Sequence, residues 1–95
     1  MYAFSYDVPG DEGIYRRVQA GLGEEPPKGL IVLMVVKRDG GLRHLGVWES
    51  KELFDRFQEE RLGPAVAGVL AAIGITERPP PPEVEEMALV DVATA

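Results

Sequence analysis

The chain holds one histidine and one tryptophan, and they stand four residues apart, at His44 and Trp48. Extended backbone places Leu42, His44, Gly46 and Trp48 on one face and Arg43, Leu45 and Val47 on the other. Four strand residues separate the Cα atoms of His44 and Trp48 by about 13 Å. They are too far apart to pair, but well placed to line opposite ends of one elongated cavity. An imidazole titrates near neutral pH and serves there as a general base or hydrogen-bond donor. An indole offers a flat apolar wall to an aromatic ligand. Gly46, between them, leaves room for a ligand close to the backbone. Tyr2, Tyr6, Tyr15 and Phe57 are the rings that would complete the pocket. His44 is therefore the catalytic candidate, and Trp48, Tyr6, Tyr15 and Phe57 are substrate-binding candidates. A plainer reading stands beside this one. A tryptophan at a strand-to-helix junction also serves as a core anchor, a histidine near a turn as a half-exposed strand residue, and a glycine as a bulge.

Other chemistries are excluded by residue type. Cysteine is absent and histidine occurs once, so neither a thiolate metal site nor a multi-histidine site can form within one subunit. No metal and no cofactor are expected. Gly40-Gly41 precedes a strand and not a helix, so it is no phosphate loop. Asp55, Glu59 and Glu60 fall on an outer helix face, and Glu83, Glu85 and Glu86 read as an edge-strand charge cluster. The formal net charge is −6, opposite to the basic stripe that nucleic-acid binding requires.

The elements that must position the pair run from Gly29 to Leu62. Leu30–Val36 is an unbroken apolar run, which predicts a strand covered on both faces. Asp39-Gly40 suits a tight hairpin turn, and the next strand is Leu42–Trp48. Ser50 is a suitable N-cap for a helix carrying Leu53, Phe54 and Phe57, with a Glu52–Arg56 pair on its surface. Gly63-Pro64 predicts a kink or restart, after which Val66, Val69, Leu70 and Ile73 form a second stripe, ended by Gly74.

Upstream, Tyr2–Val8 alternates as a strand with Tyr2, Phe4 and Tyr6 on one face. Asp11 or a neighbour caps a helix over Glu12–Leu22 with a Glu12–Arg16 pair. Downstream, Pro79–Pro82 predicts polyproline II backbone, either a stiff strap or a ligand for a proline-recognising domain. A last strand is expected over Glu83–Val92, with a frayed end. Ninety-five residues allow one domain, 1–95. The Leu30–Val36 run is too short to span a membrane, and without a signal-peptide pattern the expected location is cytoplasmic.

The order is β-α-β-β-α-β, an α+β, ferredoxin-like unit with two helices on one face of a four-stranded antiparallel sheet. The other face is then bare, with Ile31, Leu33, Val35, Leu45 and Val47 expected on it, joined by Met87 and Leu89. A patch of that size predicts a homodimer packed through the sheets.

This order, the doubly apolar second strand, and "VWES" followed by "LFDRFQEERLGPAV" resemble the dimeric α+β barrel superfamily, in particular its small members related to antibiotic-biosynthesis monooxygenases. The resemblance implies a homodimer whose two sheets form a barrel, with a pocket between each sheet and its helices. Catalytic members include cofactor-independent oxygenases of aromatic polyketides and haem-degrading enzymes. In the haem degraders a tryptophan matching Trp48 lines the pocket, with an asparagine on the first strand and a histidine on the second helix. Here the first strand offers Ser5, Tyr6 and Asp7, and the matching helix position is Gln58, a further substrate-binding candidate. Trp48 alone carries over. Two function classes follow: an apolar-ligand-binding protein acting as a cofactor-independent monooxygenase on an aromatic substrate, or a non-catalytic ligand-binding or dimerisation module.

Overall fold

The computed structural model describes residues 1–77 and 81–94. Its elements are β1 (Tyr2–Pro9), α1 (Glu12–Leu22), β2 (Leu30–Arg38), β3 (Gly41–Trp48), α2 (Lys51–Phe57), a π-helical turn (Gln58–Leu62), α3 (Gly63–Ala72) and β4 (Glu85–Met87). The strands form one antiparallel sheet in the order β2-β3-β1-β4. With the helices against one face, this is the ferredoxin-like α+β arrangement. Among the described residues, no helix is long and apolar enough to cross a membrane.

Local chemistry accounts for most boundaries. Asp11 caps α1, its carboxylate accepting from the Ile14 amide at 3.0 Å, and Ser50 caps α2, its hydroxyl accepting from the Leu53 amide at 3.2 Å. Gly74, at φ 87°, ends α3 in the left-handed region, and the Gly74 and Ile75 amides return to the Ala71 and Leu70 carbonyls. Glu52 and Arg56 pair at 3.3 Å. Glu12 does not pair with Arg16; it reaches Lys37 on β2 at 3.7 Å, while Arg16 lies over the Tyr15 ring.

The restart expected at Gly63-Pro64 takes the form of the π-helical turn. Proline has no N–H and its ring collides with the carbonyl four residues back, here that of Glu60. Widening the preceding turn, with the Gly63 amide donating to the Gln58 carbonyl, relieves this and lets α3 begin with Pro64 in its first turn. Arg61 ties the turn to the end of α1 by donating to the carbonyls of Leu22 at 3.1 Å and Glu25 at 3.0 Å.

Three expectations are corrected. First, β2 contains an irregularity. Leu30 lies opposite Trp48 and Val32 opposite Val47, so Ile31 is an extra residue. Beyond it, Val32, Met34 and Val36 share the outer face with Val47, Leu45 and Arg43, while Leu33 and Val35 turn to the helix side with Gly46 and His44. The strict alternation that placed Ile31, Leu33 and Val35 on the bare face therefore fails after Leu30. Second, β2 is not covered on both faces within the subunit; Ile31, Val32, Leu33, Met34 and Val36 are all exposed. Third, the last strand is three residues and not ten. Met87 pairs with Ala3, and β1 starts one residue earlier, at Tyr2, so the chain beyond Met87 has nothing left to pair with. Leu89, expected on the outer face, lies in this unpaired stretch. Pro79 and Pro80 of the expected strap lie outside the described residues; Pro81 and Pro82 are in neither helix nor strand.

The core is aromatic. Tyr2, Phe4, Tyr6, Trp48 and Phe54 are buried together, with Val8, Leu30, Leu53 and Phe57 packed around them. Burying one such ring contributes about 1.5–3 kcal/mol, so this cluster fastens α2 to β1 and β3.

Candidate functional site

The sheet register brings the sequence candidates to the helix-facing side. Tyr6 lies opposite His44, Phe4 opposite Gly46 and Tyr2 opposite Trp48. His44 and Trp48 thus share the face that the helices cover, and they end in two different surroundings.

At the Trp48 end the packing is closed. Trp48 is 3% exposed. Its ring meets Phe54 edge-on at 5.9 Å and Phe57 at 5.2 Å, and Phe54 in turn meets Tyr2 at 5.1 Å and Phe4 at 4.7 Å. This is the geometry of a core anchor. Gly46 opens no ligand space either. A Cβ built there would stand 2.9 Å from Cε1 of Phe4 and 2.8 Å from the Val32 carbonyl oxygen. Phe4 occupies the room that the glycine leaves and divides the layer between the His44 and Trp48 ends. Phe4 and Phe54 were legible as apolar stripe members, but their reach into the middle of the site depends on side-chain direction, which residue spacing does not carry.

The His44 end is more polar. The His44 and Tyr6 rings stack with centroids 4.9 Å apart and planes within 9°. Tyr15 reaches across from α1, its ring 5.7 Å from the imidazole and tilted by 60°. Gln58 presents its side chain to the Tyr6 hydroxyl from the first position of the π-helical turn. The structure therefore groups His44, Tyr6, Tyr15 and Gln58, and groups Trp48 with Phe57 apart from them.

Burial shapes the electrostatics. It lowers the imidazole pKa from its ordinary value, favouring the neutral ring at pH 7. Burial also raises the Tyr6 hydroxyl, an effect partly offset by Gln58 as a hydrogen-bonding neighbour. Each candidate ring keeps a buried nitrogen without a hydrogen-bond partner among the described residues: Nδ1 of His44 and Nε1 of Trp48. Such an atom costs about 1–3 kcal/mol unless something pairs with it. At the His44 end the arrangement can accept a proton onto a neutral imidazole held between aromatic faces. The surface near that end is also indented. A shallow depression of about 560 Å³ lies between the start of α1 and the β2–β3 hairpin, bordered by Ile14 and Leu42 among others. Ile14 precedes Tyr15, and Leu42 occupies the next same-face position along β3 from His44.

The fold and this site define a ferredoxin-like α+β protein with an aromatic sheet–helix layer and one embedded histidine. No protein-family model matches the chain, and no curated protein matches it. Among solved structures, the chain is similar to the crystal structure of a variant of SnoaB, a cofactor-independent oxygenase from Streptomyces nogalater. Identity is 15%, the match covers 98% of this chain and 92% of that one, and the TM-score is 0.48. The fold assignment rests on the strand order and helix placement above.

Proposed function

We propose that the chain binds a planar, apolar aromatic molecule at the His44 end of the sheet–helix layer and acts on it as a cofactor-independent monooxygenase. It would do so as one subunit of a homodimer packed through the outer sheet face. The observation that carries this reading is the buried, unpartnered Nδ1 of His44 beside the stacked Tyr6 ring. A neutral imidazole takes a proton from an acidic ring methylene of the substrate. The carbanion so formed gives its electrons to dioxygen. One oxygen atom ends as a ring carbonyl, and the other leaves as water with the proton returned by the imidazolium. A ring CH2 and O2 thus give a ring C=O and H2O. Tyr15 and Tyr6 supply aromatic faces, and Gln58 a polar contact.

Because His44 is the only histidine, its ring signals in an NMR spectrum are unambiguous. Titration with hydroquinones, flavonoids, anthrone-like polycycles and haem is expected to shift them saturably for one class. Oxygen uptake with that class is expected to fall about 100-fold or more in His44→Ala. Imidazole signals that no class moves would sink the proposal. A second reading, a non-catalytic dimerisation module, is favoured by one specific observation: Trp48 is packed against Phe54 and Phe57 as core. It predicts that no ligand class moves either the His44 ring signals or the Trp48 emission.

A further inference from the structure

We infer that the molecule bound at the His44 end is an aromatic carboxylic acid, and that Lys37 is the residue that holds its carboxylate. The inference rests on the function proposed above and deepens it, by naming the ligand class and the side chain that selects it.

Three observations converge. The first is the position of Lys37. It lies opposite Leu42, and Val35 lies opposite His44, so alternation sets Lys37 on the helix side of the sheet with Leu42 and His44. Among the described sheet residues it is the one cation on that side. Strand spacing and rise put the Cα atoms of Lys37 and His44 about 8 Å apart on the diagonal. A single fused-ring molecule can touch both side chains.

The second is space. Lys37 borders the depression of about 560 Å³ between the start of α1 and the hairpin, together with Ile14 and Leu42. That volume lies within the roughly 300–1,000 Å³ of small-molecule sites. Gly10, Gly13 and Gly41 also border it, and they bring no side chain to fill it. Ile14 and Leu42 offer an apolar wall to the rings, and the ammonium stands at the rim.

The third is charge. Lys37 meets Glu12 across this mouth at 3.7 Å, with the two side chains 79% and 57% exposed. A pair so long and so wet contributes little and exchanges readily. The fold thus already seats one carboxylate against the ammonium, and a ligand carboxylate can take the same place. The other charged groups nearby are engaged elsewhere. Asp11 accepts from the Ile14 amide as the cap of α1. Arg43 donates to both carboxylate oxygens of Asp7 on the outer face, and alternation sets Arg38 on that face too. Arg16 lies over the Tyr15 ring. On a chain of net charge −6, Lys37 supplies the local attraction that an anion needs at this mouth.

The test uses anthraquinone-2-carboxylic acid and anthraquinone-2-carboxamide, which share one ring system and differ in charge at pH 7. Each is titrated while the His44 ring signals are followed by NMR. The acid is expected to bind more tightly than the amide by about fivefold or more, and added salt is expected to weaken the acid alone. Lys37→Met should erase the difference and Lys37→Arg should keep it. Glu12→Gln, which removes the competing carboxylate, should tighten the acid and leave the amide unchanged. Lys51→Met, an equal change of net charge on α2, should leave the difference intact. Acid and amide that bind alike would overturn the inference, as would an advantage that survives Lys37→Met or is lost equally in Lys51→Met. In each of those cases His44 signals that still move leave the proposed binding standing. Signals that neither compound moves would overturn the inference, and the proposed function with it if the panel from hydroquinones to haem is equally silent.

Discussion

At the residue scale, His44 couples the candidate chemistry to stability. Burial holds its folded-state pKa below the ordinary 6.5. Above pH 6.5 the ring is neutral in folded and unfolded chains alike, and no stability hangs on it. Below pH 6.5 the unfolded chain takes up a proton that the folded chain refuses, so stability is lost as the pH falls toward the folded-state pKa. The rings against the imidazole, Tyr6 stacked and Tyr15 tilted, bring no anion to rescue it. The urea midpoint is therefore expected to drop between pH 7 and 5.5, and His44→Gln is expected to flatten that part of the curve. Equal slopes in the two proteins would show that the imidazole titrates freely. Alternation along β1 and β3 made the shared face of His44, Trp48, Tyr2 and Tyr6 legible in the sequence. It did not make legible that Phe4 fills the gap at Gly46, because the direction in which a ring leans is decided by its neighbours and not by its position in the repeat.

At the element scale, the informative departures from regular geometry are at Ile31 and at Gln58–Leu62. Helix α1, the hairpin and both N-caps were legible because each is set by local residues: Asp11, Asp39-Gly40 and Ser50. The short β4 was not, since strand length depends on where the partner strand begins. The π-helical turn was legible only as trouble at Pro64. What holds it in place is Arg61, which donates to two carbonyls at the end of α1 and lies 5.6 Å over the Phe57 ring. Arg61→Met keeps much of the stem and removes both bonds. It is expected to cost about 1–3 kcal/mol, and to raise amide exchange first at residues 22–25, where the carbonyls of Leu22 and Glu25 lose their donor. Exchange rising uniformly across the chain instead would mean that Arg61 supports the whole core and not this junction.

At the scale of the whole molecule, burial is lopsided. The aromatic cluster sits between β1, β3 and α2, whereas β2 keeps its apolar residues in contact with solvent. An exposed apolar strand on a domain of this size calls for a partner surface, and the outer-face residues Val32, Met34, Val36 and Leu45 are the ones it would cover. Light scattering is expected to give twice the one-chain mass at micromolar concentration, and Met34→Lys to return it toward one chain. The four-stranded order was readable from the succession of strand and helix patterns, because that succession nearly dictates the topology. The expected cover on both faces of β2 was not, because composition records that a strand is apolar without recording which molecule covers it.

The extra residue at Ile31 works like an insertion in a reading frame. Every position from Val32 to Val36 is apolar, so hydrophobicity alone does not distinguish one frame from the other. A single backbone irregularity decides which of these side chains look inward at His44 and which look out. Deleting Ile31 would remove the irregularity and leave Val32–Val36 facing as they do, whereas keeping it and straightening the strand beyond Leu30 would exchange inner and outer membership at one stroke. The wall of the candidate site and the outer surface of the sheet are written in the same residues and told apart by one count.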